Sequence, residues 1–251
     1  MDEKDIETSE QRENNQSPLL IPFAIIISGV IIASAVIYAV GGKSQQPSSE
    51  TASNQQQASA INSSTVNNVP AVTSSDHILG SIDAPVKIVE YSDLECPYCK
   101  MFDSTMHQIV QAYGGKVAWV YRQYPIPELH PKAPHESVAS ECAAQLGGND
   151  IFWKYIDEIF KITPSNNGLD PSLLTTIATG LGLDSDAFNT CLSGTQYDSL
   201  ISRQSQDAVN AGAQGTPYSI IISPKGNKYP IDGAQSYSTV KQMIDAALSQ
   251  G

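Results

Sequence analysis

The sequence predicts an α/β domain at the C-terminal end of the chain, carried behind an apolar segment and a polar tether. Three observations support this. Two runs rich in β-branched and aromatic residues, 86–92 and 117–124, flank a helical stretch. A long helical block then interrupts the strand pattern. Two further strand-like runs and a closing amphipathic helix follow after residue 218.

The 251-residue chain carries a net charge of −12 with 41% hydrophobic residues. It shows no basic stripe of the kind that grips phosphate backbones, so nucleic acid is not an expected partner. Residues 1–18 form an acidic tail containing Lys4 and Arg12 against six carboxylates. Residues 19–40, LLIPFAIIISGVIIASAVIYAV, contain no charge. As a helix they would span ~33 Å, the thickness of a bilayer core. The acidic flank and the length differ from a cleaved secretory signal. We therefore expect a single membrane anchor with the N-terminus cytoplasmic, although the basic-residue asymmetry around it is small. Residues 41–75 are rich in Ser, Gln, Asn and Thr. They are expected to be a flexible linker, being too polar to offset their ordering entropy. The folded domain is expected over 76–251.

Within that domain VKIVEYS (86–92) is expected to be a buried strand. The next helix starts at Cys96-Pro97-Tyr98-Cys99, with proline at the first helical position, and stops at Gly114-Gly115. VAWVYRQY (117–124) completes a βαβ unit with parallel pairing. Helices follow on Val138, Ala139, Cys142, Ala143 and Leu146, and on Phe152, Ile156, Ile159 and Phe160 with Asp150 as its cap. Another carries Leu173, Leu174, Ile177 and Leu181, with Asp170-Pro171 as its start. A short one begins at Asp184 and presents Phe188, Cys191 and Leu192, and the last of the block spans about 196–211. SIIIS (219–223) and KYPI (228–231) flank a PKGN turn, and Val240, Met243, Ile244, Ala247 and Leu248 make the final helical stripe.

The chemistry concentrates at Cys96 and Cys99. A strand-to-helix turn places Cys96 where unpaired N–H groups and the positive end of the helix favour a thiolate. Cys96 is therefore expected to be the exposed attacking sulfur, and Cys99, one turn later, the shielded resolving sulfur. A zinc site would need further ligands close by, and a purely structural bridge is the other alternative. Cys142 and Cys191 lie on apolar helix faces. Pairing them would close a loop worth ~4 kcal/mol at most by chain entropy and would report an oxidising compartment. Two buried free thiols are the other reading. His77, His107, His130 and His135 are expected on the surface or in loops. The stretch YRQYPIPELHPKAP (121–134) is either the wall of a substrate groove or a plain crossover.

Four stretches in order, DHILGSIDAPVKIVEYSDLECPYCKMF, YRQYPIPELHPKAPHESVASECAAQL, FWKYIDEIF and GAQGTPYSIII, resemble the DsbA-like thiol–disulfide oxidoreductases, and most closely their membrane-anchored bacterial branch. The resemblance covers about residues 76–250. It implies a thioredoxin fold with a helical insertion at about 126–195, Cys96 as nucleophile and Cys99 as resolving thiol. It also implies a cis-proline loop at Thr216-Pro217, Glu90 as a buried acid beneath the dithiol, and a structural bridge between Cys142 and Cys191. It implies exported thiol-bearing proteins as substrates and a quinone-linked membrane partner as reoxidant; no cofactor is expected, and no metal, because no further cysteine or histidine falls at a paired ligand spacing. An isomerase or reductase of the same fold and a dithiol metal-binding module are the alternatives. Strongly oxidising members carry a histidine between the cysteines, whereas this chain has Pro97-Tyr98, which implies a milder oxidant.

Overall fold

The structure, a computed structural model, describes residues 66 and 68–250. The expected acidic tail, the apolar run 19–40 and most of the linker lie outside the described residues. Among the described residues, no helix is long and apolar enough to cross a membrane.

A five-stranded sheet organises the domain in the spatial order β1-β3-β2-β4-β5. The central strands are β2 (Val86–Ser92) and β3 (Val117–Gln123), which pair in parallel with Val86 opposite Val117. The crossover between them is α1 (Pro97–Tyr113). This βαβ unit is the one the sequence predicts, and its strand boundaries agree to one residue. On the other side of β2 lie β4 (Tyr218–Ile222) and β5 (Lys228–Asp232), both antiparallel. A short edge strand, β1 (His77–Leu79), pairs antiparallel with β3. Its three residues are too few for a periodicity signal, and it is absent from the expected elements.

Both faces of the sheet are covered, which explains why VKIVEYS reads as a nearly continuous apolar run. Val86, Ile88, Trp119, Tyr121 and Ile221 face the main core with Phe102, Met106 and Ile109 of α1. Val89, Tyr91, Val120 and Ile220 face the other side, against Ala208 and Ala211. The helical block comprises α2 (Ala133–Gly147), α3 (Asn149–Ile162), α4 (Leu173–Gly180), α5 (Ser185–Leu192) and α6 (Asp198–Asn210), and α7 (Tyr237–Leu248) closes the fold. The largest apolar side chains of α3, Phe152, Trp153, Ile156, Ile159 and Phe160, all turn into the main core.

Helix ends follow local chemistry, with two departures from expectation. Gly114 stops α1 in the left-handed region (φ 51°, ψ 51°), where a side chain would be strained. Asp184 caps α5 by accepting from the Ala187 N–H at 2.8 Å. Asp150, in contrast, lies inside the first turn of α3, whose N-cap is Gly148. There its charge still favours the positive helix end. Asp170 does not cap α4 either. Its carboxylate accepts from the Ser172 N–H at 2.9 Å in a preceding turn, and the helix starts at Leu173. At α3 the helix begins ahead of the expected cap, and at α4 a turn over 171–172 separates Asp170 from the helix.

The packed domain also begins earlier than Asp76. Val66 and Val69 are buried against the second face of the sheet. The buried Arg122 pairs with Asp76 (Nε–Oδ1 2.8 Å) and donates to the carbonyls of Pro70 and Ala71. A lone cation inside β3 needs these acceptors to be tolerated at all, so the end of the polar linker folds back as its counterpart. Composition hid this, because the linker's acceptors are backbone carbonyls.

Cys142 of α2 and Cys191 of α5 form a disulfide, with Cα atoms 5.8 Å apart. Replacing both by alanine is expected to lower unfolding stability by about 2–4 kcal/mol through the lost loop constraint. Urea denaturation checks it, and an unchanged midpoint would remove the bridge from the list of stabilising features.

Candidate active site

The C-terminal end of β2 runs through Asp93, Leu94 and Glu95 into α1. Cys96 is the N-cap residue, in extended conformation, and its side chain makes no capping bond. Its sulfur nonetheless lies close enough to the N–H groups of Tyr98 and Cys99 for them to favour its charged form. Burial departs from expectation: Cys96 is only 4% exposed and Cys99 fully buried. The loop at Thr216 covers the first sulfur, whose thiol donates to the Thr216 carbonyl oxygen at 3.4 Å. Both cysteines are free thiols here.

The two sulfurs have opposite proton affinities. The Cys99 thiol donates to Cys96 and holds the Cys96 pKa down at about 6, with the N–H groups of Tyr98 and Cys99 helping and burial opposing. The Thr216 carbonyl, an acceptor, favours the protonated form and works against this shift. Burial pushes Cys99 well up, and the hydrogen bond it gives to Cys96, together with the charges of Cys96 and Glu90, adds to that. The Asp93 N–H points at Cys99 from 3.5 Å.

Glu90 lies under the dithiol on β2, 1% exposed. Burial raises its pKa to about 8, so it is largely protonated at neutral pH. Ser92 and Trp119 favour its charged form from nearby, yet Glu90 Oε2, Ser92 Oγ and Trp119 Nε1 have no formed hydrogen bond.

Two acidic residues that sequence reasoning passed over complete the turn. Asp93 is fully buried and accepts from the N–H groups of Glu95 (2.8 Å) and Ile126 (2.9 Å) and from His130 Nδ1 (3.0 Å). Glu95 accepts from the N–H groups of Asn167 (2.8 Å) and Leu169 (3.1 Å), and its carbonyl accepts from Asn166 N–H (2.8 Å). Ser165, Asn166 and Asn167 all sit at positive φ to deliver these donors. The two carboxylates thus tie the helical block to the turn that holds Cys96. Their position flanking the dithiol was the only signal in the sequence, and their partners lie up to 74 residues away.

The histidines are more engaged than expected. His130 is buried on Asp93, His77 bonds Glu141 at 2.9 Å and stacks on Phe152, and His107 bonds Asp157 at 2.9 Å. His135 alone is exposed as anticipated. The 121–134 stretch is pinned to the site by the Asp93 bonds to Ile126 and His130 rather than crossing freely. Among the described residues, Asp103, His107 and Asp157 bring ligand-type atoms within 4.8 Å of one another. His107 already donates its Nε2 to Asp157, so the trio reads as a hydrogen-bonded group rather than a cage.

Thr216-Pro217 is a cis peptide bond facing Cys96. Beside it opens a groove of about 550 Å³ lined by Gly212, Thr216, Pro217, Tyr218 and Asp232. Tyr98, Met101 and Leu129 are exposed apolar side chains.

Residues 72–246 match the family described as Thioredoxin. The chain belongs to the thioredoxin family. It is a DsbA-like thioredoxin-fold oxidoreductase. It is similar to DsbA2 of Pseudomonas aeruginosa, with 27% identity and a TM-score of 0.62, over 71% of this chain and 98% of that one. BdbD of Bacillus subtilis shares the fold, at 23% identity and a TM-score of 0.60, over 69% and 93% of the two chains. A Na(+)/H(+) antiporter NhaA 3 of Salinispora tropica is 32% identical over 149 residues, 59% of this chain and 22% of that protein. The chain spans about a quarter of the length of the curated relatives it matches.

Two measurements follow for this DsbA-like protein. Thiolate absorbance of the reduced protein is expected to titrate near pH 6 at Cys96; a midpoint at the ordinary cysteine value would show that neither the Cys99 thiol nor the helix end favours the thiolate. Glu90 is protonated in the fold up to about pH 8 but ionises near 4.5 when unfolded. Its contribution to stability is full below 4.5 and is lost as pH rises through 8. Glu90→Gln should therefore gain stability over the parent as pH climbs through that window, reaching a few kcal/mol. Denaturation at the two ends of the window checks the sign.

Proposed function

We propose that the chain is an extracytoplasmic thiol–disulfide oxidoreductase that oxidises exported proteins through Cys96 and Cys99. The observation that carries this reading is the opposed proton affinity of the two sulfurs. In the oxidised protein a substrate thiolate attacks Cys96 Sγ. A mixed disulfide forms, the Cys96–Cys99 bond breaks, and Cys99 leaves as a thiolate that takes up a proton. A second substrate thiolate then attacks its own sulfur in the mixed disulfide. The substrate disulfide forms and Cys96 departs as a thiolate, a good leaving group because its pKa is low. The enzyme has gained two electrons and must pass them on, in our reading to a quinone-linked membrane partner.

The Thr216-Pro217 loop and its adjoining groove suit an extended substrate segment laid across Cys96. The Cys142–Cys191 disulfide favours an oxidising compartment, and the uncharged run 19–40 suits a single anchor in the cell membrane with the catalytic domain outside. The metal-binding alternative fits poorly, because Cys99 is fully enclosed and Cys96 nearly so.

A magnitude limits the oxidising power. With a pKa near 6, Cys96 is about nine-tenths ionised at neutral pH. That stabilises the dithiol form roughly tenfold, equivalent to ~30 mV. The interval between thioredoxin (~−270 mV) and DsbA (~−120 mV) is far larger. The expected potential lies inside that interval, measured by equilibration with glutathione. A value as reducing as thioredoxin's would overturn the oxidase direction and favour a reductase. Cys99→Ala should accumulate mixed disulfides with client proteins, and Cys96→Ser should form none.

A further inference from the structure

Each turnover of the proposed exchange moves a proton to or from Cys99, which has no contact with solvent. Cys99, Asp103 and His107 recur every four residues along α1 and so line one side of that helix. Asp103 is largely buried, and its Oδ1 has no hydrogen-bond partner; the same holds for Glu90 Oε2 and Trp119 Nε1. His107 Nε2 lies 3.8 Å from Asp103 Oδ1 and 2.9 Å from Asp157 Oδ1. The edge of its ring meets Trp119, with centroids 5.3 Å apart. The side chains of His107 and Asp157 are 36% and 39% exposed, so the series ends in water.

We propose that Asp103 and His107 carry the proton between solvent and Glu90, the acid beneath Cys99, with Asp157 orienting the imidazole at the surface. The relay rests on the exchange reading above. When Cys99 is displaced from the Cys96–Cys99 disulfide, its thiolate takes the proton of the Glu90 carboxyl. Glu90 is then reprotonated through Asp103 and His107. When Cys99 attacks a mixed disulfide, the Glu90 carboxyl first gives its own proton outward through Asp103 and His107, and the carboxylate so formed takes the Cys99 thiol proton. Sulfur bonds and electrons move only among Cys96, Cys99 and the substrate.

The charges of Glu90 and of Cys96, Cys99, Asp103 and His107 of α1 and Tyr121 of β3 are felt by one another, and Asp157 of α3 acts on both Asp103 and His107. Their proton affinities are matched. Burial raises Glu90 to about 8 and Asp103 to about 7, and the bond to Asp157 raises His107 above its ordinary value. A proton steps between such neighbours without a steep climb.

The test uses the full chain. Reduced protein mixed with oxidised glutathione first forms an adduct at Cys96, and Cys99 then releases the second glutathione. Stopped-flow fluorescence separates the two steps. In Asp103→Asn and His107→Gln the release step is expected to slow by about tenfold or more, and its pH profile to change. Adduct formation and the equilibrium constant should stay near the parent's, because a relay alters both directions equally. Added imidazole should restore His107→Gly. Should Asp103→Asn fail to fold, His107→Gln, at a part-exposed position, decides alone. A normal adduct that resolves at the parent's rate in both variants overturns the relay, as does equal slowing of both steps. Absence of any adduct at Cys96 overturns the exchange reading itself.

Discussion

The site depends on one hydrogen bond, from the buried thiol of Cys99 to the sulfur at the start of α1. It lowers one pKa by raising the other. No positively charged side chain takes part in either shift, which fits a chain with Pro97-Tyr98 between its cysteines. The stabilisation is assembled from N–H and S–H donors at a helix end, each modest. The arrangement is therefore sensitive to geometry: the donors help only while the β2–α1 turn holds the sulfur over them.

That turn is held from two directions. On the insertion side, Asp93 and Glu95 accept hydrogen bonds from loops before α2 and between α3 and α4. Glu136 packs close by, its pKa raised to about 9 by burial and by Glu95. On the sheet side, Thr216 closes over Cys96. The helical block is thus more than a cover for the core. Its loops fix the entry to α1, and the Cys142–Cys191 bridge ties two of its helices together.

Acidic groups crowd this region, yet several hold their protons. Glu90, Asp103 and Glu136 are all shifted upward, each chiefly by desolvation. A thiolate can form at Cys96 because the carboxyl beneath it is mostly neutral at the pH where the thiol ionises. Were Glu90 charged, two anions would share one low-dielectric pocket, a costly arrangement. The order of these proton affinities, with Cys96 lowest and Cys99 highest among the thiols, gives the site a direction for proton movement.

The sequence alone determined the βαβ unit, the closing hairpin and helix, most helix faces, and the placing of Cys96 at a helix start. These rest on local rules: β-branched runs, apolar periodicity, a proline at the first helical position and a paired glycine stop. The resemblance to a known family added Thr216-Pro217, Glu90 and the pairing of Cys142 with Cys191. Only the tertiary structure decided that Cys96 is nearly covered, that Asp93 and Glu95 anchor the insertion, that His130 is buried, and that the linker's end folds onto Arg122. The physical reason is common to all four. A buried polar group is satisfied by whichever partner the fold brings near, often dozens of residues away and often a backbone amide, and no residue pattern along the chain records that choice.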